Sequence, residues 1–561
     1  MFAELLDSDL AIGANVATPD DDTAWMFLLP TLEPKRVLCF GDLPAAVMNR
    51  LSAAGATVYV LARPPTTEQL SAIPRPSDLL VLTGDTLGLL RADAALASQL
   101  RDSLANDAYV AITRAGPAKA DLLNSIGLLT STSVHLLSMG PTAHDAPGTR
   151  GPVANVLIVP KHRPSNTGTQ FSRRLVNASV LARSRAASAM GRGPSRASRA
   201  HASDLRPMRP GGVDRLVEPD TILVGNSTSD LGRPPRWVSD IAESAGVDLH
   251  ETRWAFAPAR GYRSQKPLFL LTTRGRTRPT HVLKITQEPR FNQRLMTEAT
   301  ALRRLRDERL IEPESVPRVL FAGEHGGLAV VLQTAWQGQG FRSHSTATPD
   351  CPYAKRAVDW FTALGQRSAV REPQGGEVHV DALRLVDRYD EVFTSTAARR
   401  SQLIEHVERL QGRDVPGVFL HGDPGNWNLL ARVDGAIGVL DWENARPLGP
   451  PVWDVALFLK TYGTFVAQAA GRRYTTNAFV SQFRPASPMR ALIDSALRTY
   501  ADLLVLEDDL VESLMLLCWV HQALKEASRL KPEAVSMSHY HDVVNRCLDE
   551  PTLLSCPARN D

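Results

Sequence analysis

From residue 36 the chain alternates short apolar runs with longer stretches whose apolar positions recur at helical spacing. Val-Leu-Cys-Phe at 37–40, Val-Tyr-Val-Leu-Ala at 58–62, Leu-Leu-Val-Leu-Thr at 79–83 and Tyr-Val-Ala-Ile-Thr at 109–113 have strand length. Repeated strand and helix units of this kind predict a parallel sheet covered by helices. Further strands are predicted at 133–138 and 153–159, on either side of the turn-rich stretch 140–151, with a helix near 118–126. From 161 to 212 the periodicity stops. The composition there turns to Ser, Ala, Arg, Gly and Pro, with basic residues from Arg173 and Arg174 to Arg206 and Arg209 and almost no acids, which reads as a linker. Phe171, Leu175, Val180 and Leu181 among Arg173, Arg174 and Arg183 make a thin basic amphipathic stripe, the pattern of a segment that touches an anionic membrane surface. The aperiodic stretch after it favours a solvated linker instead. Beyond the linker, 253–256, 268–273, 281–285 and 328–332 read as strands. The stretch 298–306 reads as a helix with Ala301, Leu302 and Leu305 on its core stripe. Residues 487–549 are largely helical by period, with Leu503, Leu504, Leu514, Leu516, Leu517 and Trp519 as core candidates.

A chain of 561 residues exceeds one hydrophobic core, so about two or three domains are expected. The composition breaks place them at 1–160, 161–212 (the linker) and 213–551. With 43% apolar and 22% charged residues the chain is of ordinary globular composition, and a net charge of +3 gives no electrostatic reason to expect nucleic acid as a partner. The 5 cysteines are scattered without a Cys-x-x-Cys pair, so neither a disulfide framework nor a zinc site is expected, and a reducing cytoplasm fits. The first nine residues carry Glu4, Asp7 and Asp9 where a secretory signal would be basic and then apolar. The most apolar late stretch, 503–520, is broken by Glu507, Asp508, Asp509 and Glu512, so no membrane span is predicted.

Candidate chemistry concentrates in the last domain. Lys284 sits amid apolar strand residues, where an ammonium needs an anionic partner, and Glu298 opens the following helix. A strand lysine held by a helix glutamate is the arrangement by which kinases grip the α- and β-phosphates of ATP. The loop 258–265, with Gly261, lies where such a fold covers the phosphates, and Gln333-Thr334-Ala335-Trp336 falls where the hinge would meet adenine. The densest constellation is His421-Gly422-Asp423-Pro424-Gly425-Asn426-Trp427-Asn428, followed after a short hairpin by Asp441-Trp442-Glu443. One loop thus supplies a carboxylate that could orient an acceptor, and oxygen donors suited to magnesium.

These residues closely resemble the aminoglycoside phosphotransferase and choline kinase family, marked by His-Gly-Asp, four residues, Asn, and an Asp-Trp-Glu-like turn. The resemblance covers roughly 213–551. It implies a bilobal protein-kinase-like fold, ATP and Mg2+ as cofactors, and a small-molecule hydroxyl acceptor such as a sugar, an aminoglycoside or an amino alcohol. It implies Asp423 as catalytic base and Asn428 and Asp441 as magnesium ligands, with Lys284, Glu298, Gly261, Thr334 and Trp336 on the nucleotide. His421 and Asp454 would hold the loop, and Glu443 would support Asp441 or reach metal through water. A protein acceptor fits less well, since Gly422 stands where protein kinases commonly carry Arg. Residues 1–160 have a Rossmann-like layout that resembles the class I methyltransferase fold in pattern. Its turn, however, reads Gly41-Asp42-Leu43-Pro44, and its second strand ends at Ala62-Arg63, without the glycine-rich approach and the acid that bind S-adenosylmethionine. A docking or substrate-presenting role is therefore favoured there over methyl transfer. The whole-chain alternative to a kinase is a catalytically silent nucleotide-binding scaffold.

Overall fold

In the computed structural model, the described residues are 24–113 apart from 30, 42–44, 62–64, 66–68, 70–71, 73–75 and 84–85; the strands at 135–138, 155–160 and 223–226; and 234–556 apart from 251, 258–263, 372–375, 473–475 and 531. Gly261, the predicted linker 161–212 with its predicted amphipathic stripe, the predicted helix near 118–126, and Asp42–Pro44 with Ala62 and Arg63 lie outside them.

Six strands form the first sheet: β1 (Arg36–Phe40), β2 (Thr57–Leu61), β3 (Ser77–Thr83), β4 (Leu104–Thr113), β5 (His135–Ser138) and β6 (Asn155–Pro160), in the order β2-β1-β3-β4-β6-β5. β2, β1, β3 and β4 run parallel, and β6 and β5 add an antiparallel edge. Val37, Leu38, Cys39 and Phe40 are all fully buried, so both faces of β1 are covered, which is why the run is apolar throughout rather than alternating. The helix Ala45–Ala53 returns from β1, and its Val47 and Leu51 close one core with Val37, Cys39, Leu79 and Val81.

A second six-stranded sheet is built from β7 (Leu223–Asn226), β8 (Arg253–Ala257), β9 (Leu268–Thr272), β10 (His281–Ile285), β11 (Val319–His325) and β12 (Leu328–Thr334), in the order β11-β12-β10-β9-β8-β7 and antiparallel throughout. One face packs on the helix Arg236–Ser244 through Trp237, Val238 and Ile241. The same core takes in Phe27 and Leu32 from the start of the chain. Trp237 Nε1 donates to the Phe27 carbonyl at 3.2 Å, the Arg50 guanidinium lies 4.2 Å above the Phe27 ring, and Arg50 donates to the Gln287 carbonyl at 3.1 Å. This lobe therefore closes with residues that precede the first sheet as well as with those from 236 onward.

The helix Asn292–Asp307 joins this lobe to the next. Leu295 and Ala299 pack on Ala329 and Val331 of β12, while Ala301, Leu302 and Leu305 enter the large core of the carboxyl-terminal lobe. That lobe is mainly helical, with Pro352–Ser368, Trp453–Ala469, Arg490–Leu504 and Asp508–Ala527 around Trp442, Phe458 and Trp519. Its short strands are β13 (Gln339–Gly340), β14 (Val418–Leu420), β15 (Leu429–Ala431), β16 (Ile437–Val439) and β17 (Arg446–Gly449). β14 pairs with β17, and β15 lies between β13 and β16, so the polar segments after β14 and β16 emerge side by side. Among the described residues no helix is long and apolar enough to cross a membrane.

Candidate active site

The segment after β14 is fixed from three sides. His421 is fully buried, its Nε2 donates to the Leu440 carbonyl at 2.8 Å, and its Nδ1 accepts the Asp423 N–H at 3.1 Å. Its ring lies 4.5 Å from that of Trp442. Both nitrogens are thereby engaged, so the imidazole acts as a strut. Asp454, in the first turn of the helix Trp453–Ala469, accepts the N–H of His421 at 2.6 Å and of Gly422 at 3.1 Å. Burial raises the Asp454 carboxyl above its usual range, against the opposing pull of His421 and the two backbone donors. Gly422 has φ +77°, and a Cβ there would stand 2.2 Å from the Asn444 carbonyl oxygen, so only glycine lets the loop lie this close to the turn after β16.

Asp423, carried by this clamped loop, is half-buried. The one contact to its carboxylate among those of the described residues is a long one, 3.4 Å from Asn428 Nδ2. Asn428 Nδ2 donates more closely to the Asp423 carbonyl, at 2.9 Å, which leaves Oδ1 as the atom it offers a cation. Asn426 is fully buried and committed elsewhere: Oδ1 accepts from Arg342 at 2.9 Å, and Nδ2 donates to the Thr461 carbonyl at 3.3 Å.

Asp441, at the end of β16, adopts φ 64° and ψ 62°, a left-handed conformation seldom taken by a residue with a side chain and often found where a site dictates geometry. Its carboxylate meets Lys266, which precedes β9: Nζ is 3.0 Å from Asp441 Oδ1 and 2.5 Å from Glu443 Oε2. Desolvation favours the neutral acid, but Lys266 and then Lys284 outweigh it and hold Asp441 well below the usual carboxylate range. For Lys266, burial disfavours the ammonium, and Asp441, Glu443 and Glu298 overcome it, so the charge is held more firmly than usual.

Lys284 on β10 forms an ion pair with Glu298 on the helix Asn292–Asp307, and the two are 8% and 0% exposed. The second oxygen of Glu298, Oε2, is buried without a hydrogen-bond partner. At the end of β12, the Thr334 N–H donates to the Arg318 carbonyl at 2.9 Å, its hydroxyl accepts the Arg318 N–H at 2.9 Å, and the Ala335 N–H donates to the Thr280 carbonyl at 2.8 Å. Trp336 donates through its indole to the Glu314 carbonyl at 2.6 Å and packs so tightly on Gly438 that a Cβ there would meet its ring at 2.3 Å. Thr334 and Trp336 thus tie the hinge segment to both lobes, through backbone and ring contacts that sequence order could not specify.

The structure therefore joins Asp441 and Glu443 to Lys266 and, through charge, Asp441 to Lys284 of the Lys284–Glu298 pair; it sets Asn428, on the loop that carries Asp423, beside Leu440, and has His421 and Asp454 support that loop. Sequence reasoning missed Lys266. The signal available was a lysine at the foot of an apolar strand, the same feature that drew attention to Lys284. The acids Asp508, Asp509 and Glu512, which could have served ammonium groups of an acceptor, pair instead with Arg498, Arg413 and Arg409.

Magnesium suits the donors present. It prefers hard oxygens, and it is commonly held by one or two carboxylates together with phosphates rather than by an all-protein cage. Asn428 and Asp441 offer such oxygens, and among the described residues no cluster of three or more His, Cys, Asp or Glu forms a closed cage.

No curated protein matches the chain. Among solved structures, a thermostable mutant of aminoglycoside phosphotransferase APH(4)-Ia, crystallised with ADP and hygromycin B, is 14% identical, with 57% of this chain and 99% of that one covered at a TM-score of 0.35. Aminoglycoside phosphotransferase APH(3'')-Id from Streptomyces rimosus, with ADP and streptomycin, is 15% identical over 52% and 97%, at a TM-score of 0.30. Macrolide 2'-phosphotransferase MphH from Brachybacterium faecium is 16% identical over 54% and 97%, at a TM-score of 0.35. Residues 258–488, a stretch that includes Asp423, Asn428, Asp441 and Asp454, match the model of the phosphotransferase enzyme family.

Proposed function

We propose that the carboxyl-terminal half is an ATP- and magnesium-dependent phosphotransferase that modifies a hydroxyl of a small molecule. The observation that carries this reading is the half-buried Asp423 carboxylate, held on a loop clamped by Asp454 and His421 and free of any cation pair among the described residues. A carboxylate so placed can accept the hydrogen bond of an acceptor hydroxyl, orient its oxygen toward the terminal phosphate and take the proton at Oδ as the bond forms. Lys284, fixed by Glu298, would hold the non-transferred phosphates, and Asn428 and Asp441 would hold magnesium, which supplies charge neutralisation to the phosphates.

The test is ADP release over matched sugars, sugar acids, amino alcohols and aminoglycosides, with Asp423→Asn protein as the blank. Release that depends on Asp423 supports the reading. Nucleotide binding without Asp423-dependent release from any acceptor would leave a silent nucleotide-binding scaffold as the better account.

A further inference from the structure

We propose that Lys266 is an exchangeable counter-ion of the metal site: it neutralises Asp441 and Glu443 before magnesium binds and moves onto the triphosphate when metal takes those carboxylates. The inference rests on the phosphotransferase reading and adds a residue and a direction of charge movement that the family match does not supply.

Lys266 is separated from Asp441 by 175 residues and crosses from one lobe to the other, with its side chain only 8% exposed. Its ammonium lies 3.0 Å from Asp441 Oδ1 and 2.5 Å from Glu443 Oε2. Two carboxylates this close repel each other unless a cation lies between them, and here that cation is a lysine. A dication on the same oxygens would place like charges within a few ångströms of each other, so the two cannot share them at full strength. Lys266 sits at the carboxyl end of the 258–265 loop, before β9, beside the strand whose partner carries Lys284. Glu298, whose charge already bears on Lys266, is paired with Lys284, so phosphates held by Lys284 would be the added anions within reach of a lysine side chain at that place. The exchange keeps each charge paired in both states, which the nearly buried Lys266, Lys284 and Glu298 require.

Lys266→Met tests this, because the exchange predicts opposite signs for two affinities. Mn2+ alone, followed by its paramagnetic signal, should bind about tenfold more tightly than to wild type, since its competitor is gone, and Mg2+ with a non-hydrolysable ATP analogue should bind about tenfold more weakly, the size of one lost charge-assisted hydrogen bond. A purely structural lysine would weaken both, and a spectator would change neither; either result overturns the proposal. Should the variant not fold, amine labelling of the wild-type chain decides: Mn2+ without nucleotide should expose Lys266 to labelling, and the ATP analogue should protect it again. Labelling indifferent to Mn2+ would overturn the exchange. Failure of wild type to bind the metal–nucleotide complex would instead count against the phosphotransferase reading itself.

Discussion

The Lys284–Glu298 pair allows folding and function to be separated. Glu298 is wholly buried and Lys284 nearly so, with one Glu298 oxygen left without a partner. Replacing Lys284 by Met leaves a carboxylate buried without its ammonium, and breaking a buried pair in this way costs about 3–5 kcal/mol. Lys266 lies close enough to Glu298 to respond to its charge, so partial compensation should bring the loss to the low end, about 3 kcal/mol. Removing both charges together, with Lys284→Met and Glu298→Leu, takes away the desolvation penalty as well as the attraction. Such swaps are commonly neutral or stabilising by about 1–4 kcal/mol. The expected order of stability in urea is therefore the double variant equal to or above wild type, and Lys284→Met well below both. Nucleotide affinity should follow a different order, with both variants losing the ammonium on the phosphates and binding Mg-ATP at least about tenfold more weakly. Calorimetry with Mg2+ and a non-hydrolysable ATP analogue, on the same samples used for unfolding, measures both. A double variant that stays as unstable as Lys284→Met, or one that binds nucleotide like wild type, would refute the argument that this pair is kept for phosphate and not for folding.

Three further outcomes follow from the geometry. Gly422→Ala forces a Cβ to 2.2 Å from the Asn444 carbonyl at a φ of +77°, so turnover should fall about a hundredfold as the loop shifts, while nucleotide affinity, read by calorimetry, stays near wild type. Phe27→Ala should cost about 3–5 kcal/mol through a cavity under the second sheet, seen as faster amide exchange in β9 and β10. ATP should raise the melting temperature only with Mg2+ or Mn2+ present, and equal protection in chelator would remove Asn428 and Asp441 from the role of metal ligands.

What the sequence revealed was whatever is carried by local period or by tight spacing. The fully apolar runs at 37–40 and 79–82 are strands because both faces of a parallel sheet are covered, and β10 has the predicted bounds of Lys284's strand. Asp423 and Asn428 are five positions apart, and the hydrogen bond from Asn428 to the Asp423 carbonyl is a product of that spacing. Contacts made across the chain left no such trace. Phe27 packs under Trp237 at a separation of 210 residues, and nothing near residue 27 announces a partner in another lobe. Lys266 finds Asp441 across 175 residues. The helical acids Asp508, Asp509 and Glu512 have the same period whether they face solvent, acceptor or arginines, and their partners decide that. Apart from Gly41, the methyltransferase-like features predicted for residues 1–160 turn on residues outside those described, so the prediction that this part binds S-adenosylmethionine weakly or not at all rests on Gly41-Asp42-Leu43-Pro44 and Arg63 as read from the sequence.

The central claim is that Asp423 acts on the acceptor while Asn428 and Asp441 serve the metal, and single-turnover kinetics on Asp423→Asn and Asp441→Asn tests it most directly once an acceptor is in hand. Asp423→Asn keeps the shape of the loop, so phosphoryl transfer should collapse by about a hundredfold or more with Mg-ATP affinity unchanged. Asp441→Asn removes a charge from the metal site, so affinity and turnover should fall together, with partial recovery at higher Mg2+. Near-normal transfer by Asp423→Asn would contradict the account.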